Sequence, residues 1–141
     1  MFETIKNWLA NRHKIPREKM AEFQAEGILA TEEWIKAKIV YLHYRAPGKR
    51  FGYKKVWFRS NVVVTEQRLF VTVYLNLGID VPFSDPRIHQ MSFSNEDGIL
   101  LISFDASLFQ PTWSGTLEYR LLSANTAALL NTINSKVVQH G

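Results

Sequence analysis

Apolar residues recur along this chain with two different periods, and the switch between them divides it. In residues 2–13, Phe2, Ile5 and Leu9 recur at helical spacing, with Trp8 beside Leu9. Pro16 then suits the first turn of a second helix and Gly27 its C-terminal end. Met20 and Phe23 are the inward positions of that helix. From Trp34 the period becomes two. Ile35, Ala37, Ile39 and Tyr41 alternate with Lys36, Lys38, Val40 and Leu42.

The segment "APGKRFG" reads as a turn, and a second strand is expected from about Tyr53 to Thr65. A "TEQR" turn leads into a third strand, in which Leu69, Val71, Val73 and Leu75 share one face. "NLGIDVPFSDP" reads as a loop with at most a short strand. Arg87 to Phe93 and Ile99 to Phe104 are expected strands, separated by the tight turn "NEDG". In "TLEYRLLS", Leu117, Tyr119 and Leu121 face inward and Thr116, Glu118 and Arg120 outward. Ser123 is a suitable N-cap for a closing helix with the stripe Ala127, Leu130, Ile133 and Val137.

This order predicts an α+β protein. Its antiparallel sheet or barrel has about six or seven strongly bent strands and is capped by a C-terminal helix. Two extra helices precede it. We divide the chain into an N-terminal helical extension, 1–33, and a barrel domain with its closing helix, 34–141. There is no internal repeat.

Composition narrows the chemistry. The chain has 141 residues, 46% apolar and 21% charged, as in ordinary globular domains. It has no cysteine, which removes disulfides, thiolate metal sites and cysteine nucleophiles. No leader-like or membrane-spanning apolar run is evident, so a cytoplasmic protein is expected, peripheral at a membrane if it meets one. No histidine has a second ligand at metal-binding spacing on a helix, and no nucleophile-elbow or phosphate-binding glycine loop occurs. Neither a catalytic residue nor a metal or cofactor is therefore expected.

Charge is the main clue to partners. The net charge is +4, yet residues 34–65 hold eight Lys or Arg and no carboxylate. The remainder holds nine basic against thirteen acidic side chains, a net of −4. Six of the eight, Arg45, Lys49, Arg50, Lys54, Lys55 and Arg59, lie within "YRAPGKRFGYKKVWFRS", interleaved with aromatics. A one-signed patch attracts anions over roughly a Debye length, ~8–10 Å. These six are the candidate phosphate-binding residues. The expected partners are anionic lipid headgroups or an acidic protein, with Phe51 and Tyr53 able to dip into the interfacial layer. The bland reading is a solvated hairpin whose lysines keep an edge from aggregating. A nucleic-acid partner is not expected. "RFGYKKVW" has only a faint likeness to base-stacking strands, and the order of elements differs from theirs.

Trp8 on the first helix, and Phe109 and Trp113 in "LFQPTWSG", are candidate partner-binding residues. They give the alternative, a protein-interaction or self-assembly module. An enzyme built on a curved-sheet pocket is disfavoured by the closing helix.

Three features together resemble the pleckstrin-homology-like fold, including GRAM domains. They are "VWFRSNVVVTEQRLFVTVY" with its Thr-x-x-Arg-Leu turn at Thr65 to Leu69, "GILLISF" followed by "GTLEYRLLS", and the helix that comes directly after. The resemblance spans about residues 34–138 and implies a non-enzymatic binding module. The chain departs from the family in having no tryptophan between residues 124 and 138. The spacing Lys, then basic-x-Arg, used by phosphoinositide-binding members is also absent.

Overall fold

The computed structural model describes residues 15–140. The expected first helix, with Trp8, lies outside them. Helix α1, Arg17–Glu26, begins after Pro16 and ends at Gly27, whose φ of 90° suits glycine. The seven strands are β1 (Ile28–Ala46), β2 (Lys49–Thr65), β3 (Arg68–Val73), β4 (Asn76–Pro82), β5 (Ser92–Glu96), β6 (Ile99–Asp105) and β7 (Ser114–Leu121). Helix α2, Thr126–Gln139, closes the chain.

The strands form one antiparallel sheet in the order β4-β3-β2-β1-β7-β6-β5. β4 and β5 are its two edges, so the sheet is open where a barrel would be closed. A 3-10 turn, Pro86–Gln90, carries the chain between these edges, and α2 packs against β5. The sheet is nevertheless strongly curled. Leu77 to Asp80 of β4 line one cleft together with Ile39 of β1 and Leu117 and Tyr119 of β7. Irregular backbone accompanies the bending. Trp34, His43 and Tyr74 adopt φ of 53°, 51° and 56°, and the ladder slips next to Trp34 and His43. Buried polar groups hold the first slip in place. Asn61 Oδ1 accepts the Trp34 amide at 2.9 Å, and the Asn61 amide donates to Thr72 Oγ1 at 2.9 Å.

The main core lies inside the curl, where Val62, Val64, Leu69, Val71, Val81, Ile88, Leu100, Ile102 and Leu121 are fully or almost fully buried. On the opposite face Ile15, Phe23, Val63 and Phe70 form a smaller cluster beneath α1. Arg68 fastens this helix. Its guanidinium donates to Glu26 (3.0 and 2.6 Å), Glu22 (2.6 Å) and Asp80 (3.2 Å), and lies 4.9 Å from the Phe23 ring centre. Thr65 Oγ1 accepts the Gln67 and Arg68 amides and donates to Glu26, so the Thr65–Leu69 turn and the helix end share one network.

Several elements differ from the pattern. β1 starts at Ile28 instead of Trp34, and its early part pairs with Val62–Thr65. β4 is a full strand, with Ile79 and Val81 buried. The segment expected as a strand from Arg87 is the 3-10 turn, and pairing begins only at Ser92. On α2 the most buried positions are Thr126, Leu129 and Ile133; Ala127 is exposed. The N-cap is Asn125, while Ser123 accepts the Asn125 amide and bonds to Glu32.

Candidate functional site: the cationic hairpin

β1 and β2 pair from Ile28 and Thr65 to Ala46 and Lys49, turning at Pro47 and Gly48. β7 backs β1 on its other side, from Ala37 to Arg45. β3 backs β2 only through Val62–Val64, and the Tyr74 amide adds a bond to the Arg59 carbonyl. From Lys49 to Phe58, therefore, β2 has one neighbour among the described strands. All of these residues except Phe51 and Phe58 are exposed.

The eight basic side chains of residues 34–65 differ from the other described ones, of which all but Arg17 are ion-paired. Lys19, Arg68, Arg87, Arg120 and Lys136 each sit in an ion pair. None of the eight does, among the described residues. Arg59 donates only to the Trp34 carbonyl, at 3.4 Å. Register worsens the repulsion, since Arg45 lies directly opposite Arg50 and Lys36 opposite Arg59. Like charges facing across strands destabilise a hairpin by a few tenths of a kcal/mol each.

Strand alternation splits the six candidate residues. Lys55 and Arg59 share the outer face with Lys36, Lys38 and Trp57. There the ammonium groups of Lys36 and Lys38 lie 4.9 and 5.2 Å from the Trp57 ring centre. Trp57 is 46% exposed and Tyr53, further along, 65%. Lys54 is on the inner side, 4.2 Å from the Phe51 ring centre. Lys49, Arg50 and Lys54 line a recess at the hairpin tip with Tyr41, Tyr44 and Phe51. Five of the six thus form two groups on opposite faces rather than one ring around a loop, and Arg45 lies opposite Arg50 in the ladder.

His43 explains why the inner group contains both Tyr41 and Tyr44. A regular strand would point residues three apart to opposite faces. The left-handed backbone at His43 instead brings the two rings to 4.9 Å. Gly115 faces this kink across β7, where a Cβ would stand 2.5 Å from the His43 carbonyl oxygen.

Phe109 and Trp113 are half-buried on the same side. Trp113 packs edge-on to Tyr44 at 5.8 Å and Phe109 edge-on to Phe104 at 5.5 Å. Phe51 is half-buried too, stacked on Tyr44, so Tyr53 and Trp57 are the better-exposed aromatics. Sequence reasoning missed Trp57, Lys36 and Lys38 as site residues. The signal was present in the i, i+2 spacing of the lysines, once strand register placed them beside Trp57.

Among the described residues, no cluster of three or more His, Asp or Glu could hold a metal, and no helix is long and apolar enough to cross a membrane. Comparison with known proteins gave no matching family model and no significantly similar curated protein.

Proposed function

We propose that this is a non-catalytic binding module of the pleckstrin-homology-like kind, whose first hairpin meets the phosphate groups of an anionic membrane surface. One observation carries this reading: eight cations on one hairpin lack acidic partners among the described residues, and two pairs of them lie directly opposite one another across the strands. A purely structural ribbon would need only enough charge to keep its edge from aggregating, not like charges set opposite one another. An approaching anionic surface relieves the repulsion and turns it into attraction. Near such a surface each basic side chain contributes about 1 kcal/mol, so four to six give weak, salt-sensitive adhesion. Exposed Tyr53 and Trp57, amphipathic rings flanked by lysines, suit the headgroup layer. The order of elements, seven antiparallel strands followed directly by a helix, supports the fold assignment.

The test is co-sedimentation with vesicles of phosphatidylcholine alone and with added phosphatidylserine, at low and high salt. Binding is expected only to the anionic vesicles and is expected to fade with salt. Changing Lys49, Arg50, Lys54 and Lys55 together to Glu should abolish it. Retention of binding by that variant would overturn the reading. Salt-sensitive capture of an acidic protein, without any vesicle binding, would replace the membrane with a protein partner.

A further inference from the structure

A cleft of about 430 Å³ lies between the turn-side half of the hairpin, from Ile39 to Lys49, and β4. That is within the ~300–1,000 Å³ range of small-molecule sites. Aromatic and aliphatic side chains share its walls with polar groups, Tyr119 and Phe104 on the sheet side, Trp113 and Phe109 from the loop before β7, and Leu77 at the β4 rim. Lys49, Tyr41 and Tyr44 line both this cleft and the recess holding Arg50 and Lys54, so the two spaces adjoin. The one carboxylate in the wall, Asp80, is already paired with Arg68. Burial holds the Tyr41, Tyr44 and Tyr119 phenols above their ordinary range, so they remain hydrogen-bond donors at neutral pH. None of the three hydroxyls has a hydrogen-bond partner among the described residues, and none is sealed from solvent.

We infer that this cleft binds a small amphiphile, its apolar body between Tyr119, Trp113 and Leu77 and its single anionic head on Lys49 and Lys54. Charge decides the occupant. An apolar space with an unpaired cation at one end and a neutralised carboxylate at the other matches a molecule with one apolar and one anionic end. A purely apolar ligand would leave the ammonium groups unused, and a cation would meet them head-on. Carboxylate, sulfonate and phosphate heads share this chemistry. The inference rests on the reading above in treating Lys49 and Lys54 as anion-binding groups, but it needs no membrane.

The test is therefore run without vesicles, on the full chain, by fluorescence titration with anilinonaphthalene sulfonate and with its uncharged relative N-phenylnaphthylamine. Both are expected to bind, the sulfonate more tightly. The double variant Lys49→Ala, Lys54→Ala should weaken the sulfonate by about tenfold or more, the usual scale for a lost charge-assisted contact, and leave the neutral probe unchanged. Leu77→Trp should weaken both probes. Leu77 is 63% exposed, so this rim change leaves the core intact, as an unaltered melting curve would verify. A control, Arg17→Ala on α1, which lines neither space, should change neither. The inference is overturned if neither probe binds, if Leu77→Trp spares both, or if the Lys49 and Lys54 changes leave the sulfonate unaffected. Vesicle binding without probe binding sinks the cleft alone; probe binding without vesicle binding sinks only the membrane reading.

Discussion

Replacing Arg68 by leucine keeps an apolar stem over Phe23 but removes the guanidinium that gathers three carboxylates. The Arg68 and Glu26 side chains are each only 13% exposed, and Asp80 is 24% exposed. Glu22 is half exposed, so its bond adds little. Removing one partner from a fully buried pair costs about 3–5 kcal/mol, because the other charge stays buried alone. Here Asp80 can turn partly to water, and Glu26 at the helix end can swing with it. The expected loss is therefore about 2–4 kcal/mol, a large part of the ~5–15 kcal/mol that holds a domain together. Urea denaturation followed by tryptophan fluorescence measures it. Adding Glu26→Gln to Arg68→Leu should recover part of the loss, since the stranded charge disappears. The pH dependence has a definite sign. Hydrogen bonding from Arg68 holds the Glu22 carboxyl below its ordinary 4.5. A depressed folded-state value supplies stability above that pH and loses it as the pH falls through the carboxylate range. The gap between native protein and variant should therefore narrow slightly on acidification. A gap under about 0.5 kcal/mol at neutral pH, the level of an ordinary surface change, would refute the fastening role of Arg68. So would a gap that widened in acid.

Two further outcomes follow from the site. Gly115 has φ 101°, and an added Cβ would lie 2.5 Å from the His43 carbonyl oxygen, so Gly115→Ala should cost more than about 2 kcal/mol, read as a lower melting temperature; a melting curve like the native one would show that the kink is not confined as described. Burial pushes the Tyr119 phenol above its ordinary 10.0, so the folded state keeps that proton to higher pH and loses stability as pH rises past 10. Tyr119→Phe should flatten the alkaline limb of the stability curve, and an unchanged slope would count against it.

What was legible in the sequence were the elements whose partners are near and regular. Pro16 and Gly27 mark the ends of α1, and Leu117, Tyr119 and Leu121 keep strict alternation on β7. β4 was hidden because its Gly, Asp and Pro residues carry loop signals. Gly78 is there for space: a Cβ would come within 3.3 Å of the Tyr119 ring and 3.0 Å of the Val71 carbonyl. Part of that crowding comes from Tyr119, some forty positions away, which no local pattern can express. The cationic cluster was visible as a count, yet its division into two faces was not. The division depends on strand register and on a left-handed histidine that nothing nearby in the sequence announces. The openness of the sheet was equally hidden, since whether β4 meets β5 is decided by how tightly the strands curl.

The outer rim of β2, from Lys49 to Phe58, leaves a row of main-chain amides and carbonyls turned to water. In a neutral protein such a rim recruits its own kind. Here a second molecule drawing alongside would press the same positive charges against their equals, so pairing rim to rim is opposed. On the proposed reading, one set of side chains governs both solubility and choice of company. A variant that abolished the charge to prove the second role would also surrender the first.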